Sequence, residues 1–101
     1  MKFAAPTPMG FTVRTTDSYW RLLLLKHPEV SGRERDIQEA LTMPDRVCRS
    51  RHDSRVYLFY RTEGDYYVCA VVKRLNGEGF LVTAYVTDTI KEGEHLWPTS
   101  E

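Results

Sequence analysis

Residues 80–87, Phe80-Leu81-Val82-Thr83-Ala84-Tyr85-Val86-Thr87, form the last strongly strand-like run of this chain. Strand side chains alternate between faces, so Phe80, Val82, Ala84 and Val86 make one apolar row, and Thr83, Tyr85 and Thr87 make the other. The pattern predicts a strand with one buried face and one open face. The open face carries hydroxyls, where a merely solvated face carries charges.

The segments before it extend the same sheet. Residues 66–74 are apolar on both faces, as in a central strand. Asn76-Gly77 then gives a hairpin signal, within a loop read as longer than two residues. Residues 55–62 read as a long strand turning at Glu63-Gly64-Asp65, and residues 46–50 as a short strand before a turn at 51–54. Two helices precede Pro44. The first starts near Asp17, capped by Thr16 or Asp17, and Pro28 stops it. Its apolar residues, Tyr19, Trp20 and Leu22 to Leu25, nearly encircle it, which predicts deep packing. The second opens on Ser31 and Glu34, a capping-box pair, points Ile37, Ala40 and Leu41 inward, and ends at Met43-Pro44. Residues 1–16 read as an irregular leader, with Phe11 to Arg14 a short edge strand or a lead-in. After residue 87, Ile90, Leu96 and Trp97 are expected to fold back onto the body, leaving 98–101 as a tail. The expected fold is α+β: a single domain over 17–97, with two N-terminal helices packed on a curved antiparallel sheet of about four strands.

With 101 residues, 42% of them apolar, the chain suits one globular domain. Zero net charge excludes a protein that coats nucleic acid by bulk basicity. The charge is nonetheless segregated. Residues 46–61 hold five arginines against Asp53, and residues 78–101 hold five acids against Lys91. Cys48 and Cys69 stand apart in predicted strands, in no metal-ligand spacing with His27, His52 or His95, and read as buried reduced thiols. No metal and no cofactor is expected. No secretory leader or membrane-length apolar run is visible, so the expected location is cytoplasmic, in the producing cell or in a host.

If the helices cover the more apolar rows, the open face gathers Arg55, Tyr57, Arg61, Lys73, Thr83 and Tyr85. Cations for phosphate, rings for bases and hydroxyls for hydrogen bonds suit single-stranded RNA. The same set suits metal-free RNA cleavage, which needs a base for the 2′-hydroxyl, an acid for the leaving oxygen and cations at the phosphorane. His27, at a helix C-terminus, is the acid–base candidate. It is equally read as a surface cap, while Lys73 and Arg61 are equally read as solvated strand ends and Thr83 and Tyr85 as ordinary strand residues. His52 and His95 are read as solvent-facing.

Several short runs also resemble a known family. They are Lys26-His27-Pro28-Glu29, Met43-Pro44-Asp45, Tyr57-Leu58-Phe59-Tyr60-Arg61, Val82-Thr83-Ala84-Tyr85, Ile90-Lys91-Glu92-Gly93 and Leu96-Trp97. Together they resemble the phage-associated barnase–EndoU–colicin–RelE-like nucleases over roughly residues 17 to 97. The resemblance implies a metal-independent endoribonuclease, toxin-like or associated with phage and mobile elements. It also implies RNA as substrate and an antitoxin or immunity protein as possible partner. The matching catalytic positions are His27, Arg61, Lys73, Thr83 and Tyr85, with Arg49, Arg55, Tyr57 and Lys91 expected to hold RNA. The alternative reading is a non-catalytic RNA- or protein-binding module of the same fold; a third is a structural protein whose aromatics form an oligomer interface.

Overall fold

The run at 80–87 does form a strand, but its alternation breaks in the middle. In the computed structural model, which describes residues 1–91 and 93–99, the chain order is β1 (Phe3–Pro6), β2 (Thr12–Thr15), α1 (Asp17–Lys26), a 3₁₀ turn (Pro28–Val30), α2 (Glu34–Thr42), β3 (Arg46–Ser50), β4 (Val56–Glu63), β5 (Tyr66–Leu75), β6 (Glu78–Thr87) and β7 (Gly93–Trp97). Val71 of β5 pairs with Thr83 of β6, and Val72 pairs with Leu81, so Val82 is one residue too many. A bulge of this kind moves every side chain beyond it to the opposite face. Gly79 and Leu81 are therefore buried before it and Ala84 after it, while Phe80 and Val82 stay 42% and 38% exposed. The continuous apolar row expected over 80–86 is not formed.

The α+β class holds, but the expected sheet of about four antiparallel strands is corrected to a mixed sheet of seven, ordered β1-β2-β6-β5-β4-β3-β7. The extra strands come from segments read as leader and tail. Phe3–Pro6 and Thr12–Thr15 form an antiparallel hairpin, because burying Phe3, Ala5, Phe11 and Val13 gives a short segment a hydrophobic reason to order. That hairpin joins β6 in parallel through Val13↔Gly79 and Arg14↔Phe80. At the other edge β7 pairs with β3, and Leu96 and Trp97 pack against the main core as expected.

Both helices lie on one face. Trp20 and Leu23 of α1 and Ile37, Ala40 and Leu41 of α2 share a core with Tyr57, Phe59, Val68, Ala70, Val72 and Ala84. Thr16 caps α1, its hydroxyl accepting the Tyr19 N–H at 3.1 Å. The first helix is not deeply packed on all sides, since Leu22 and Leu25 are 58% and 80% exposed. The expected capping box is absent too. Ser31 closes the 3₁₀ turn, and α2 starts from Arg33 without a side-chain cap. The β5–β6 loop is shorter than expected. Leu75 pairs with Glu78, leaving Asn76 (φ 52°) and Gly77 (φ 81°) as a two-residue turn whose left-handed positions these residues tolerate.

Gly79 sits where the parallel junction is tightest. A Cβ there would lie 2.8 Å and 2.9 Å from Phe11 ring carbons and 3.0 Å from Val13. Gly79→Ala is expected to destabilise the protein by about 1–3 kcal/mol through overpacking. Urea denaturation checks this, and an unchanged midpoint would mean that the β2–β6 junction is looser than described.

Candidate functional site

Opposite the helices, β3 to β6 present a second, smaller apolar cluster, and register fixes which residues meet there. Arg46, Tyr60, Cys69 and Tyr85 align across four strands, and Leu58, Val71 and Thr83 align beside them. Cys48, Leu58, Tyr60 and Cys69 are buried in this layer, with Val56, Val71, Tyr85 and Ile90 packed on it. Above it lies a cleft of about 590 Å³. Val56, Leu58, Val71 and Tyr85 line it together with Thr83, Lys91 and the Ser50-Arg51-His52 segment that leads out of β3.

His27 reaches this face around the edge of the sheet. Among the described residues no strand pairs with the outer side of β6 beyond Phe80; α1 lies beside Val82 and the 3₁₀ turn packs against β6 there. Tyr19 Oη donates to the Val82 carbonyl at 3.1 Å. His27 is at once the C-cap of α1, its N–H bonded to the Leu23 carbonyl, and the residue before Pro28. Its ring centroid lies 5.9 Å from that of Tyr85, and its Nδ1 lies 3.2 Å from Glu29 Oε2. The Glu29 carboxyl is held below its ordinary range, first by its own backbone amide, with burial opposing, and further by His27 and the Val86 amide. An ionised carboxylate only accepts, so Nδ1 carries the proton in this pair and Nε2 is the basic nitrogen of the neutral ring.

Lys91 approaches Tyr85 from the cleft side, its ammonium 5.5 Å from the ring centroid, while its backbone N–H donates to Tyr60 Oη at 3.1 Å. Thus Tyr85 has both His27 and Lys91, from two other parts of the chain, beside its ring. Thr83 lines both the cleft and a neighbouring groove that contains His27.

The remaining expected residues do not join them. Register places Tyr57 and Arg61 on the helix-covered face, which corrects their assignment to the open one. Arg61 donates to the Met43 carbonyl at 2.6 Å and faces Glu39 at 3.7 Å, pinning the end of α2 to β4. Tyr57 is buried against Phe11, with ring centroids 5.2 Å apart, and Arg49 covers it at 5.5 Å, so no base can stack on it. Arg49 also faces Glu94 at 3.5 Å, and Arg55 is held by Asp53 at 3.2 Å. Lys73 does lie on the open face, but opposite Val56 and Phe80 at its far end, where its ammonium is 3.7 Å from Asp53.

Ser50, Arg51, His52 and Glu29 are site residues that sequence reasoning missed. The usable signal for the first three was the dense run of cations around the 51–54 turn, at the end of a strand with an open face. Glu29 gave no signal, because its role depends on the bend at Pro28. Among the described residues no group of three or more His, Cys, Asp or Glu side chains comes together, and no described helix is long and apolar enough to cross a membrane. Comparison of the chain with known families, with characterised proteins and with solved structures finds no match.

Burial pushes Cys69 up from 9.0 to about 12, and burial beside Cys69 pushes Tyr60 up from 10.0 to about 12. Tyr85 is pushed up as well, by burial and then by Cys69, and its buried hydroxyl sits beside Cys69 and Tyr60 without a hydrogen bond of good geometry among the described residues. A group whose folded value is raised loses its stabilising contribution as pH rises from the unfolded value through the folded one. Stability is therefore expected to fall between pH 9.0 and about 12, as followed by urea denaturation at stepped pH. Tyr85→Phe, which removes a buried hydroxyl that makes no hydrogen bond of good geometry among the described residues, is expected to leave stability at pH 7 unchanged or raised. A clear loss would show that the hydroxyl has a partner.

Proposed function

We propose that the open-face cleft binds single-stranded RNA and cleaves it without a metal ion, by attack of a 2′-hydroxyl on the adjacent phosphorus. The observation that carries this reading is that Thr83, Tyr85 and Lys91 line one cleft with His52, while His27 lies against Tyr85 and lines the groove that shares Thr83 with that cleft. His27 Nε2 takes the 2′-hydroxyl proton as the 2′-oxygen–phosphorus bond forms. The bond from phosphorus to the 5′-oxygen breaks, and the His52 imidazolium supplies the proton that the leaving oxygen takes up. The products are a 2′,3′-cyclic phosphate and a free 5′-hydroxyl. Lys91 offsets negative charge developing on the phosphorane, and the Thr83 hydroxyl hydrogen-bonds a phosphate oxygen. Tyr85 is the platform on which His27 and Lys91 rest; with its hydroxyl buried and its acidity suppressed, it serves neither as acid nor as base. The sequence resemblance to RNA-cleaving domains points the same way.

The engagement of Arg61 with Glu39 and Met43, and of Lys73 with Asp53, favours a second reading in which the same cleft holds RNA without cutting it. Cleavage of tRNA and total RNA in EDTA, with end-group analysis, separates the two. The expected result is cleavage to 2′,3′-cyclic ends, lowered about 10²- to 10⁴-fold in His27→Ala. RNA bound but left intact by folded wild-type protein would establish the second reading instead.

Glu29 gives a further check on His27. Glu29→Gln keeps an oxygen that accepts the Nδ1 proton, whereas Glu29→Ala does not. The alanine variant is expected to lose more kcat than the glutamine variant, at unchanged KM. Equal losses in both would remove Glu29 from the positioning of His27.

A further inference from the structure

Beside the cleft, across Thr83, runs a groove of about 500 Å³ between α1 and the edge of β6. Tyr19, Leu22, Leu25 and Val82 line it, and Lys26, His27 and Thr83 close one end. These four apolar residues are between 38% and 80% exposed, an unusual concentration of open hydrophobic surface for so small a chain. The proposed chemistry uses His27 and Thr83 and none of these four apolar residues. The groove results from the bulge, which turns Val82 outward, and from α1 standing in for a missing strand. Tyr19 is held in place by its hydroxyl on the Val82 carbonyl, so its ring is a fixed element of the groove wall.

We infer that this groove is a nucleobase subsite, holding a base next to the scissile phosphate of single-stranded RNA. The inference rests on the RNA reading of the cleft and specifies how the strand lies. Continuity is the first argument: Thr83 lines cleft and groove alike, so a strand whose phosphate lies against Thr83 extends from one into the other. Charge is the second. No acidic residue lines the groove, and Lys26, at its His27 end, is in no ion pair among the described residues. Chemistry is the third: an aromatic ring with aliphatic side chains around it accepts any base by stacking and apolar contact, so affinity is sequence-tolerant. The volume lies within the usual range for organic ligand sites.

The test is binding of a fluorescein-labelled 2′-O-methyl oligoribonucleotide, which cannot undergo 2′-oxygen attack, followed by anisotropy. Tyr19→Ala is expected to weaken binding about tenfold or more, and Tyr19→Phe to keep it. Tyr66→Ala, at an exposed tyrosine that starts β5 and does not line the groove, is expected to change nothing. Circular dichroism of each variant establishes that it is folded. If wild type binds and folded Tyr19→Ala binds equally well, the base subsite is wrong while the cleft reading stands. If wild type binds no RNA, both fall.

Discussion

The outer edge of β6 governs this structure. On its inner side β6 is paired with β5 along its length except at Val82, but on its outer side the parallel contact with β2 covers just Gly79 and Phe80. The remaining edge would expose unpaired backbone groups, which a sheet must cover or leave open to aggregation. Here side chains do the covering. Tyr19 Oη reaches the Val82 carbonyl, and the Glu29 carboxylate sits by the Val86 amide. These contacts fix α1 and the 3₁₀ turn against the edge. His27, lying between them in sequence, has no other place to go than beside Tyr85.

The same arrangement divides the sheet into two faces with different chemistry. Beneath the helices and the β1–β2 hairpin, Arg49 of β3 and Arg61 of β4 are used for structure: Arg61 ties down α2, and Arg49 lies over Tyr57. Ion pairs at such partly exposed sites add little stability individually. Their effect is to occupy cations that the sequence offers to phosphate. On the opposite face the layer of Cys48, Leu58, Tyr60 and Cys69 is apolar, and charge enters from its margins, through Arg46 at the start of β3, Lys91 and the 51–52 segment. The result is a cleft with a dry floor and a basic rim, in a protein of zero net charge.

Several features were legible in the residues. Thr16 caps the first helix, Pro28 ends it, and the strands over 46–87 follow the predicted order because their alternation and turn residues are local signals. Thr83 and Tyr85 also share a face as read. Three things were not legible. The hairpin over residues 3–15 has few local signals, and its stability comes from burying Phe3 and Phe11 against distant Trp20 and Tyr57. The bulge at Val82 leaves no mark in the sequence of β6, since it is a matter of register with β5. The face of β4 was misassigned because both of its rows are apolar, and the row richer in arginine hides their charges through partners elsewhere in the chain.

By itself, then, the sequence determined the composition of each element, the order of the helices and the central strands, and a set of polar residues suited to phosphate chemistry. Those follow from short-range sterics, capping and alternation, which a stretch of ten residues carries within itself. The tertiary structure alone decided which of those residues meet. It brought His27 and Lys91 each to Tyr85, placed His52 in the cleft that Tyr85 and Lys91 line, and withdrew Arg61 and Tyr57 to the other face. The reason is that face and register are relations between strands far apart in the chain, and one inserted residue reverses them without altering any local preference.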